Sequence, residues 1–473
     1  MLFNSLEFAV FFIIVYSLYL IFNHKWQNRL LLLASYVFYG WWDYRFLSLI
    51  LISTLLDYYC GIKIHESNQI RKRKLFLWLS VCGNLGILGF FKYCNFFVSS
   101  LQVILTNIGF SFQPFYLRII LPLGISFYTF QTMSYTIDIY RKEMVPTRKF
   151  FDFALFVAFF PQLLAGPIER AKHLLPQVLA SRKIDVDRFE KGAFLIFWGL
   201  FQKVFVADNL ARISNAAFLP QVSYNGVSVL LGVFAFAFQI FCDFAGYSNI
   251  ARGLGKLMGF DIVVNFNFPL FAANIQDFWK RWHISLSSWA RDYIYIPLKK
   301  SKRVNTLISV MITMVAIGFW HGAAWHFIFA GAYCGILLII HAIIRYKFKN
   351  LIQPKSRLGS YIWRVLRMIV LQVWLLPAGI LFRAPSMKQA FSMLQGLFFN
   401  FDISAMDTVS ILGKIFYFIW FLVFIQAVQF IKKDFYFIQK SGIAKKALFY
   451  TICCYLFIKG GFKSGEAFIY FIF

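Results

Sequence analysis

The sequence predicts an all-α protein that crosses a lipid bilayer many times, and three observations support this prediction. Hydrophobic residues make up 60% of the 473 residues and charged residues only 14%, whereas soluble domains carry roughly 25% charge. Aromatic residues alone account for 21%, which is more than the interior of one globule can bury. Apolar runs of roughly 20 residues, the length that a membrane-crossing helix needs, recur along the chain. This composition excludes disorder, a collagen-like fold and a disulfide scaffold.

The predicted spans follow one another with short connectors. Their approximate bounds are 6–23, 30–41, 45–63, 75–92, 96–110, 117–137, 151–166, 192–207, 227–244, 306–320, 324–344, 362–383, 412–431 and 446–459. Several are too short to cross about 30 Å of hydrocarbon, so they must be re-entrant, distorted or buried among other helices. We expect 11–13 true crossings. Since no connector is long enough for a soluble domain, we expect one membrane domain over residues 1–473.

Basic residues outnumber acidic residues by 48 to 20, which gives a formal net charge of +28. They lie in the connectors, for example at 71–74, 299–303 and 345–349. A Lys or Arg at the centre of a membrane helix costs roughly 2.5–3.5 kcal/mol on insertion scales. We therefore interpret the connectors as cytoplasmic loops that contact anionic lipid, and we expect no nucleic-acid partner. The seven cysteines contain no CxxC pair, so we expect buried small side chains and no disulfide framework.

One histidine stands out because it lies at the end of an apolar run. His321 follows Gly318 and Trp320 and precedes Gly322. Ionisable residues inside membrane spans are costly and are by default candidates for function, and small neighbours allow a helix or ligand to approach. A buried histidine bonded to a carbonyl is the structural alternative. His326 lies five residues further on, with no Glu between the two, which does not match a zinc-binding helix, and we expect no metal site.

A second group of candidates lies in the stretch 278–295 (FWKRWHISLSSWARDYIY). Its tryptophans and basic residues are typical of an amphipathic interfacial helix, and His283 could simply belong to the polar edge of that helix. Polar residues also occur near membrane depth, where each alone is best explained as a helix-packing hydrogen bond. Together they indicate a wet cavity; they are Gln131, Asp138, Asp208, Asn209, Gln239, Asp243 and Asn249.

In combination, several motifs resemble the membrane-bound O-acyltransferase (MBOAT) family, and within it the bacterial alginate O-acetylase-like branch. The matching stretches are 1–8 (MLFNSLEF), 123–131 (LGISFYTFQ) with Tyr135 and Asp138, 160–170 (FPQLLAGPIER), 243–248 (DFAGYS), 265–269 (NFNFP), 279–295, 318–322 (GFWHG) and 468–473 (FIYFIF). Each motif is modest alone, but the set in this order spans nearly the whole chain.

This resemblance implies a ring of helices around a central cavity, with re-entrant segments, and a catalytic role for His321. His283 matches the second family position, which is His in the bacterial polysaccharide branch and Asn in many eukaryotic members. We expect His321 to act as general base, and His283 to orient the donor or stabilise the oxyanion. Further expected donor- or substrate-binding residues are Trp279, Trp282, Arg281, Ser285, Trp320, Gln131, Asp243 and Asn249.

The function that the resemblance implies is an acetyl transfer across the bacterial cytoplasmic membrane. The donor would be a cytoplasmic thioester, most simply acetyl-CoA, whose phosphates the basic segment 272–303 would receive. No cofactor beyond that donor is expected. The acceptor would be an exported polysaccharide such as alginate, reached through a periplasmic or surface partner of the SGNH type.

Three alternatives stay open at the level of sequence. Peptidoglycan could be the acetyl acceptor, and D-alanyl transfer to teichoic acid would need a carrier-protein thioester in place of CoA. A polytopic transporter or flippase without acyl chemistry is the alternative of a different class. The sequence does not distinguish the acceptor glycan, the donor, the partner, the orientation or the oligomeric state.

Overall fold

A computed structural model describes residues 1–111, 114–301, 303–347, 356–403, 408–460 and 468, and every regular element among these residues is helical. The α-helices are α1 (Leu6–Ile21), α2 (His24–Asp43), α3 (Leu47–Glu66), α4 (Ile70–Leu88), α5 (Cys94–Asn107), α6 (Ile125–Tyr140), α7 (Phe150–Ala158), α8 (Phe160–Leu163), α9 (Ala171–Leu179), α10 (Val186–Leu200), α11 (Asp208–Ala217), α12 (Gly226–Leu257), α13 (Ile275–Trp279), α14 (Ile284–Ala290), α15 (Ile296–Lys300), α16 (Thr306–His321), α17 (Trp325–Lys347), α18 (Arg357–Arg383), α19 (Met387–Phe399), α20 (Thr408–Lys432) and α21 (Ile443–Gly460).

Seven helical segments in the described part of the chain are long and apolar enough to cross a bilayer. Two further apolar helices, α1 and α16, have 16 residues each. Seven is fewer than the 11–13 crossings expected for two reasons. The segments His24–Glu66 and Ile70–Asn107, of 43 and 38 residues, each contain two of the predicted spans, and other apolar stretches fold as shorter helices. The stretch 151–166, for example, is divided between α7 and α8, with Pro161 at the start of α8. The all-α polytopic fold is confirmed, and crossings beyond these seven stay a prediction.

The chain divides into two compact units, and the first comprises Met1–Ile196 with Ile250–Val263. In this unit a buried carboxylate links α3 to α4. Asp57 accepts hydrogen bonds from the Ser80 hydroxyl at 2.5 Å and from the Asn84 amide at 2.8 and 3.0 Å. Ser80 also lies 2.8 Å from the hydroxyl of Thr136 on α6. Polar groups inside a membrane bundle need such partners, so these bonds hold the three helices together.

The second unit comprises Phe197–Asn249 with Val264–Phe473, and it contains both candidate catalytic histidines. Asn305 caps the start of α16 by accepting a hydrogen bond from the Leu307 amide at 2.9 Å. The helices α16 and α17 form a closely packed hairpin. A Cβ built on Gly318 would overlap the backbone at Phe327, and one built on Gly331 would overlap the backbone at Met314. The two glycines therefore allow the close approach that fixes the end of α16 against the start of α17.

Between the long helices α12 and α16, the chain folds into short helices and turns. The backbone is left-handed at two non-glycine residues of this segment, Phe268 (φ 51°) and His283 (φ 43°). Bulky residues adopt this conformation only where the surrounding structure enforces it, often at functional sites. The expected amphipathic helix over 278–295 is thus interrupted at His283, which lies at the turn between α13 and α14.

Candidate active site

His283 is held in its left-handed conformation by backbone hydrogen bonds to the segment that follows α12. The Ile284 amide donates to the carbonyl of Asn265, and the Asn267 amide donates to the carbonyl of Arg281, both at 2.9 Å. These two bonds bracket His283 and fix the direction of its side chain. The imidazole is almost fully buried, with 1% of the residue exposed.

The Asn265 side chain decides which imidazole nitrogen of His283 carries the proton. Asn265 Oδ1 accepts from the backbone amide of Ser285 at 3.3 Å and from its hydroxyl at 2.9 Å. Because a backbone N–H can donate only to an acceptor, this atom is the amide oxygen. His283 Nδ1 lies 3.2 Å from the same oxygen, so Nδ1 is the protonated nitrogen. The lone pair of the neutral ring then resides on Nε2.

Burial lowers the pKa of His283 to about 3, although a hydrogen bond to the backbone opposes the shift. The ring is therefore neutral at physiological pH. With Nδ1–H bonded to Asn265, the Nε2 atom can accept a hydrogen bond or a proton but cannot donate one. This geometry does not favour the oxyanion-stabilising role that was one of the two expected for His283, since that role needs a donor.

His321 is the last residue of α16 and lies close to His283. The two ring centroids are 6.3 Å apart. The Trp320 ring forms a triangle with the two imidazoles, 5.8 Å from His283 and 5.0 Å from His321, while Phe382 of α18 packs against His321 at 4.9 Å. At this separation both imidazoles can contact the same small substrate group. The structure thus brings together residues that are 38 positions apart in the chain (321 minus 283).

A cavity of about 180 Å³ adjoins His321, and its other walls come from α12, α13, α16, α17 and α18. An engineered apolar cavity of about 150 Å³ takes a benzene molecule, so an acetyl group fits here. The sequence suggested a wet cavity, whereas the lining residues are mostly aliphatic and aromatic. Such a lining disfavours water in the cavity.

Four of the other expected site residues lie beside the histidines or the cavity. Trp279 and Trp282 line the cavity, and Trp282 stacks on Phe278. Trp320 contacts both histidines, and Ser285 shares the oxygen of Asn265 with His283. Arg281 instead binds Asp277 at 2.8 Å and donates to the carbonyl of Asn267 at 3.1 Å.

Three expected polar residues are bonded to the protein itself. Gln131, in the first unit, donates to the carbonyl of Phe156 at 2.6 Å. In the second unit Asn249 donates to the side chain of Gln202 at 2.8 Å, and Asp243 pairs with Lys203 at 2.8 Å. These contacts account for their burial as helix-packing bonds, and a role in binding the donor stays a prediction.

Two residues of the second unit were not predicted as site residues, although the sequence around each contains a feature that could have identified it. Asn265 begins the motif 265–269, and it positions His283. Lys203 lies in an apolar run and is buried between Asp208 and Asp243, 2.8 Å from each. It occupies a π-helical stretch, Phe201–Ala207, of a kind that often marks functional or strained sites. A single lysine within a predicted membrane span was the sequence feature that could have identified Lys203.

Comparisons with known proteins show which family the chain belongs to. The family described as MBOAT, membrane-bound O-acyltransferase, matches residues 75–413. The probable alginate O-acetylase AlgI of Pseudomonas aeruginosa is 40% identical over 403 residues, which cover 84% of this chain and 75% of that protein. The peptidoglycan O-acetyltransferase of Helicobacter pylori is 33% identical over 79% of this chain and 74% of its own length. The teichoic acid D-alanyltransferase of Streptococcus thermophilus is 32% identical over 50% of this chain and 60% of its own length.

The family match covers well over half of the chain and includes both histidines, the cavity and the segment between α12 and α16. The apolar helices add the membrane context. The chain belongs to the membrane-bound O-acyltransferase family, and it is a multi-pass membrane acyltransferase.

Proposed function

We propose that this protein transfers an acetyl group from a cytoplasmic thioester, most simply acetyl-CoA, to a hydroxyl group destined for an exported polysaccharide. The observation that carries the proposal is the pair of buried imidazoles 6.3 Å apart, one of which lines a cavity large enough for an acetyl group. Alginate O-acetylase relatives support the acetyl group and the polysaccharide acceptor.

The proposed chemistry needs a base because a neutral hydroxyl is a poor nucleophile. His321 removes the hydroxyl proton as the oxygen attacks the thioester carbonyl carbon. The carbon–sulfur bond then breaks, the thiolate leaves, and the proton passes from His321 to the sulfur. His283 accepts a hydrogen bond through Nε2 from an N–H group of the thioester donor, which orients the donor's carbonyl toward the hydroxyl. Atoms and charges balance, and the enzyme returns to its starting state.

The position of His321 along α16 supports an acceptor on the outer side. The basic connector 299–303 precedes α16, and basic connectors are cytoplasmic by the positive-inside rule. His321 is 15 residues beyond Thr306, which is about 22 Å along an α-helix. This distance lies past the midpoint of a hydrocarbon core about 30 Å thick. We infer that the acetyl group enters from the cytoplasm and leaves toward the opposite face.

The proposed location is the bacterial cytoplasmic membrane, and the proposed partner is an extracytoplasmic acetyltransferase of the SGNH type that receives the acetyl group. Peptidoglycan is the alternative acceptor, because one relative is a peptidoglycan O-acetyltransferase. D-alanyl transfer has a relative that matches only half of the chain. The transporter alternative has no support from the family to which the chain belongs.

The test is the O-acetyl content of secreted polysaccharide and of peptidoglycan, measured separately in a deletion strain that expresses the wild type or a variant. We expect His321→Ala to abolish O-acetylation in one fraction and His283→Ala to reduce it strongly. His341→Ala, in the same hairpin but far along α17, is the matched control and should retain it. Unchanged O-acetyl content in the His321 variant, at equal protein level in the membrane, would refute the proposal. The affected fraction identifies the acceptor.

A further inference from the structure

Six buried polar side chains of the first unit meet between α3, α4 and α6, and we call them the oxygen cluster. Each of the six residues is at most 1% exposed. They are Ser53 and Asp57 of α3, Ser80 and Asn84 of α4, and Thr132 and Thr136 of α6. None of them was predicted as a site residue, and none takes part in the proposed acetyl transfer. Polar groups gathered inside an apolar bundle are a candidate ligand site.

The first half of the oxygen cluster surrounds the carboxylate of Asp57. The Ser80 hydroxyl oxygen lies 2.5 Å from Asp57 Oδ1 and 2.8 Å from the hydroxyl oxygen of Thr136. The Asn84 amide nitrogen donates to both carboxylate oxygens, at 2.8 and 3.0 Å. Three different helices therefore contribute to the surroundings of one carboxylate.

The second half of the cluster is a triangle of neutral oxygens. Ser53 Oγ lies 2.6 Å from Asn84 Oδ1, and Thr132 Oγ1 lies 3.5 Å from each of these two oxygens. The hydroxyls of Thr132 and Thr136 also donate to carbonyls three residues earlier in α6, at 3.2 and 3.1 Å. A hydroxyl that donates its proton to its own helix keeps lone pairs that can coordinate a cation.

The carboxylate of Asp57 has no opposite charge beside it in the protein. Asp57 lies ten residues beyond Leu47, which is about 15 Å along α3 and half the thickness of a hydrocarbon core of about 30 Å. Among the described residues, no Lys, Arg or His forms an ion pair with it. The sequence also has no Lys, Arg or His at 47–62, 75–88 or 125–140, the parts of α3, α4 and α6 around the cluster. A charge at this depth is costly unless a partner neutralises it.

A monovalent cation fits the chemistry of the cluster. Hard cations prefer carboxylate, carbonyl and hydroxyl oxygens, and one carboxylate balances one positive charge. Na⁺ has nearly the radius of Ca²⁺, which binds oxygens at about 2.3–2.6 Å, so neighbouring oxygens of an octahedral shell lie about 3.3–3.7 Å apart. The two 3.5 Å spacings around Thr132 Oγ1 match this value. The shorter spacings are hydrogen bonds that the ion replaces.

We propose that the oxygen cluster binds one sodium ion, with Asp57 as the charged ligand and the hydroxyl and amide oxygens as neutral ligands. On binding, the Ser80 hydroxyl turns its proton from Asp57 to the preceding turn of α4, as the two threonines already do in α6. The ion neutralises the carboxylate and joins three helices. The expectation of no metal site concerned the spacing of His321 and His326, which carries no information about an alkali cation.

The test is equilibrium binding of radioactive sodium to the full chain in detergent micelles near neutral pH. We expect one sodium ion per wild-type chain, displaced by unlabelled NaCl but not by choline chloride. Asp57→Asn keeps the shape of the side chain but removes its charge, so binding should be lost. The matched control is Thr54→Val, because Thr54 is equally buried in α3 but donates to the carbonyl of Ile50 at 2.6 Å. This control should bind sodium as the wild type does.

Thermal unfolding is a second measurement that needs no enzymatic activity. At equal ionic strength, the melting temperature of the wild type should be higher in NaCl than in choline chloride, by on the order of 3 °C. Thr132→Val keeps the carboxylate and removes one neutral ligand, so the sodium concentration for half of this shift should rise on the order of tenfold. This variant decides the matter if Asp57→Asn does not fold.

Two results would overturn the sodium site. One is the absence of sodium binding by the wild type, with equal melting temperatures in the two salts. The other is a melting temperature that rises on acidification but does not differ between the salts, because a proton then neutralises Asp57 in place of a cation. Neither result bears on the proposed acetyl transfer, which is measured separately.

Discussion

Asn265→Ala is the change that most directly tests how the active site is built. Asn265 is buried and holds three hydrogen-bond donors with one oxygen: His283 Nδ1, the Ser285 amide and the Ser285 hydroxyl. Its amide nitrogen also donates to Ser248 at 3.3 Å. Alanine removes the acceptor and leaves these donors buried without it, while the backbone bonds at 265 stay intact.

The expected cost follows from the number of bonds. At about 1 kcal/mol for each of the three donors, the variant should lose on the order of 3 kcal/mol of stability. We expect an effect on catalysis of similar size. Without Oδ1, the His283 ring loses both its fixed tautomer and its orientation, so we expect kcat to fall on the order of 100-fold, the scale of general acid–base catalysis.

Stability can be measured with a thiol-reactive dye because the chain contains both exposed and buried free cysteines. Cys82 and Cys454 are exposed and set the baseline, whereas unfolding uncovers the buried cysteines, which are Cys60, Cys242, Cys334 and Cys453. Activity is measured as acetyl-CoA consumption by the same preparation. Asn267→Ala, two residues away and exposed, is the matched control, and it should change neither quantity.

Asn265→Asp separates orientation from electrostatics. The carboxylate can accept the same three hydrogen bonds, but its charge favours protonated His283 and so raises the pKa of His283 above the wild-type value of about 3. The acid limb of the rate profile should therefore move to higher pH, with activity recovering as the pH rises. An Asn265→Ala variant with wild-type kcat, or an Asp variant with an unshifted profile, would show that Asn265 does not set the state of His283.

Three further predictions concern the packing around the site and the pH dependence of stability. Lys203→Met leaves Asp208 and Asp243 as buried charges without their lysine, so we expect a loss of about 3–5 kcal/mol; an unchanged melting temperature would contradict this. Gly318→Leu should prevent α16 and α17 from packing and sharply reduce folded protein, whereas Gly413→Leu, where a Cβ meets no atom within 4 Å, should not; equal yields would show that the contact is dispensable. The hydrogen bond that His173 donates to Glu169 raises the pKa of His173, despite partial burial; the stabilisation is thus present below pH 6.5 and lost as the pH rises through the raised pKa. His173→Gln should therefore lower the melting temperature at pH 6 more than at pH 9, and an equal decrease at both would exclude this linkage.

The sequence predicted the fold class because lipid imposes a simple pattern. A crossing helix must be long and apolar, and its connectors collect the charges. The pattern was less reliable for the number of crossings. A run such as 151–166 has the composition of a span but is divided by a turn before Pro161, and composition averaged over a window does not register one break.

The two histidines were also predictable as individual residues. His321 was conspicuous because an ionisable side chain rarely ends an apolar run, and His283 was identified through the motif around it. Their separation of 6.3 Å was not predictable, nor was the role of Asn265. Both depend on a left-handed turn at His283 that the hydrophobic pattern of the sequence does not indicate.

The sequence by itself determined that this protein is embedded in lipid, that it is helical and which residue types are available for chemistry. These properties depend on composition and on spacing along the chain. Only the tertiary structure decided which of those residues meet. It joined His283 to His321 and placed Lys203 between two carboxylates. The physical reason is that hydrogen bonds and ion pairs act over a few ångströms, whereas the partners here are separated by tens of residues, and helix packing alone determines which of them come within reach.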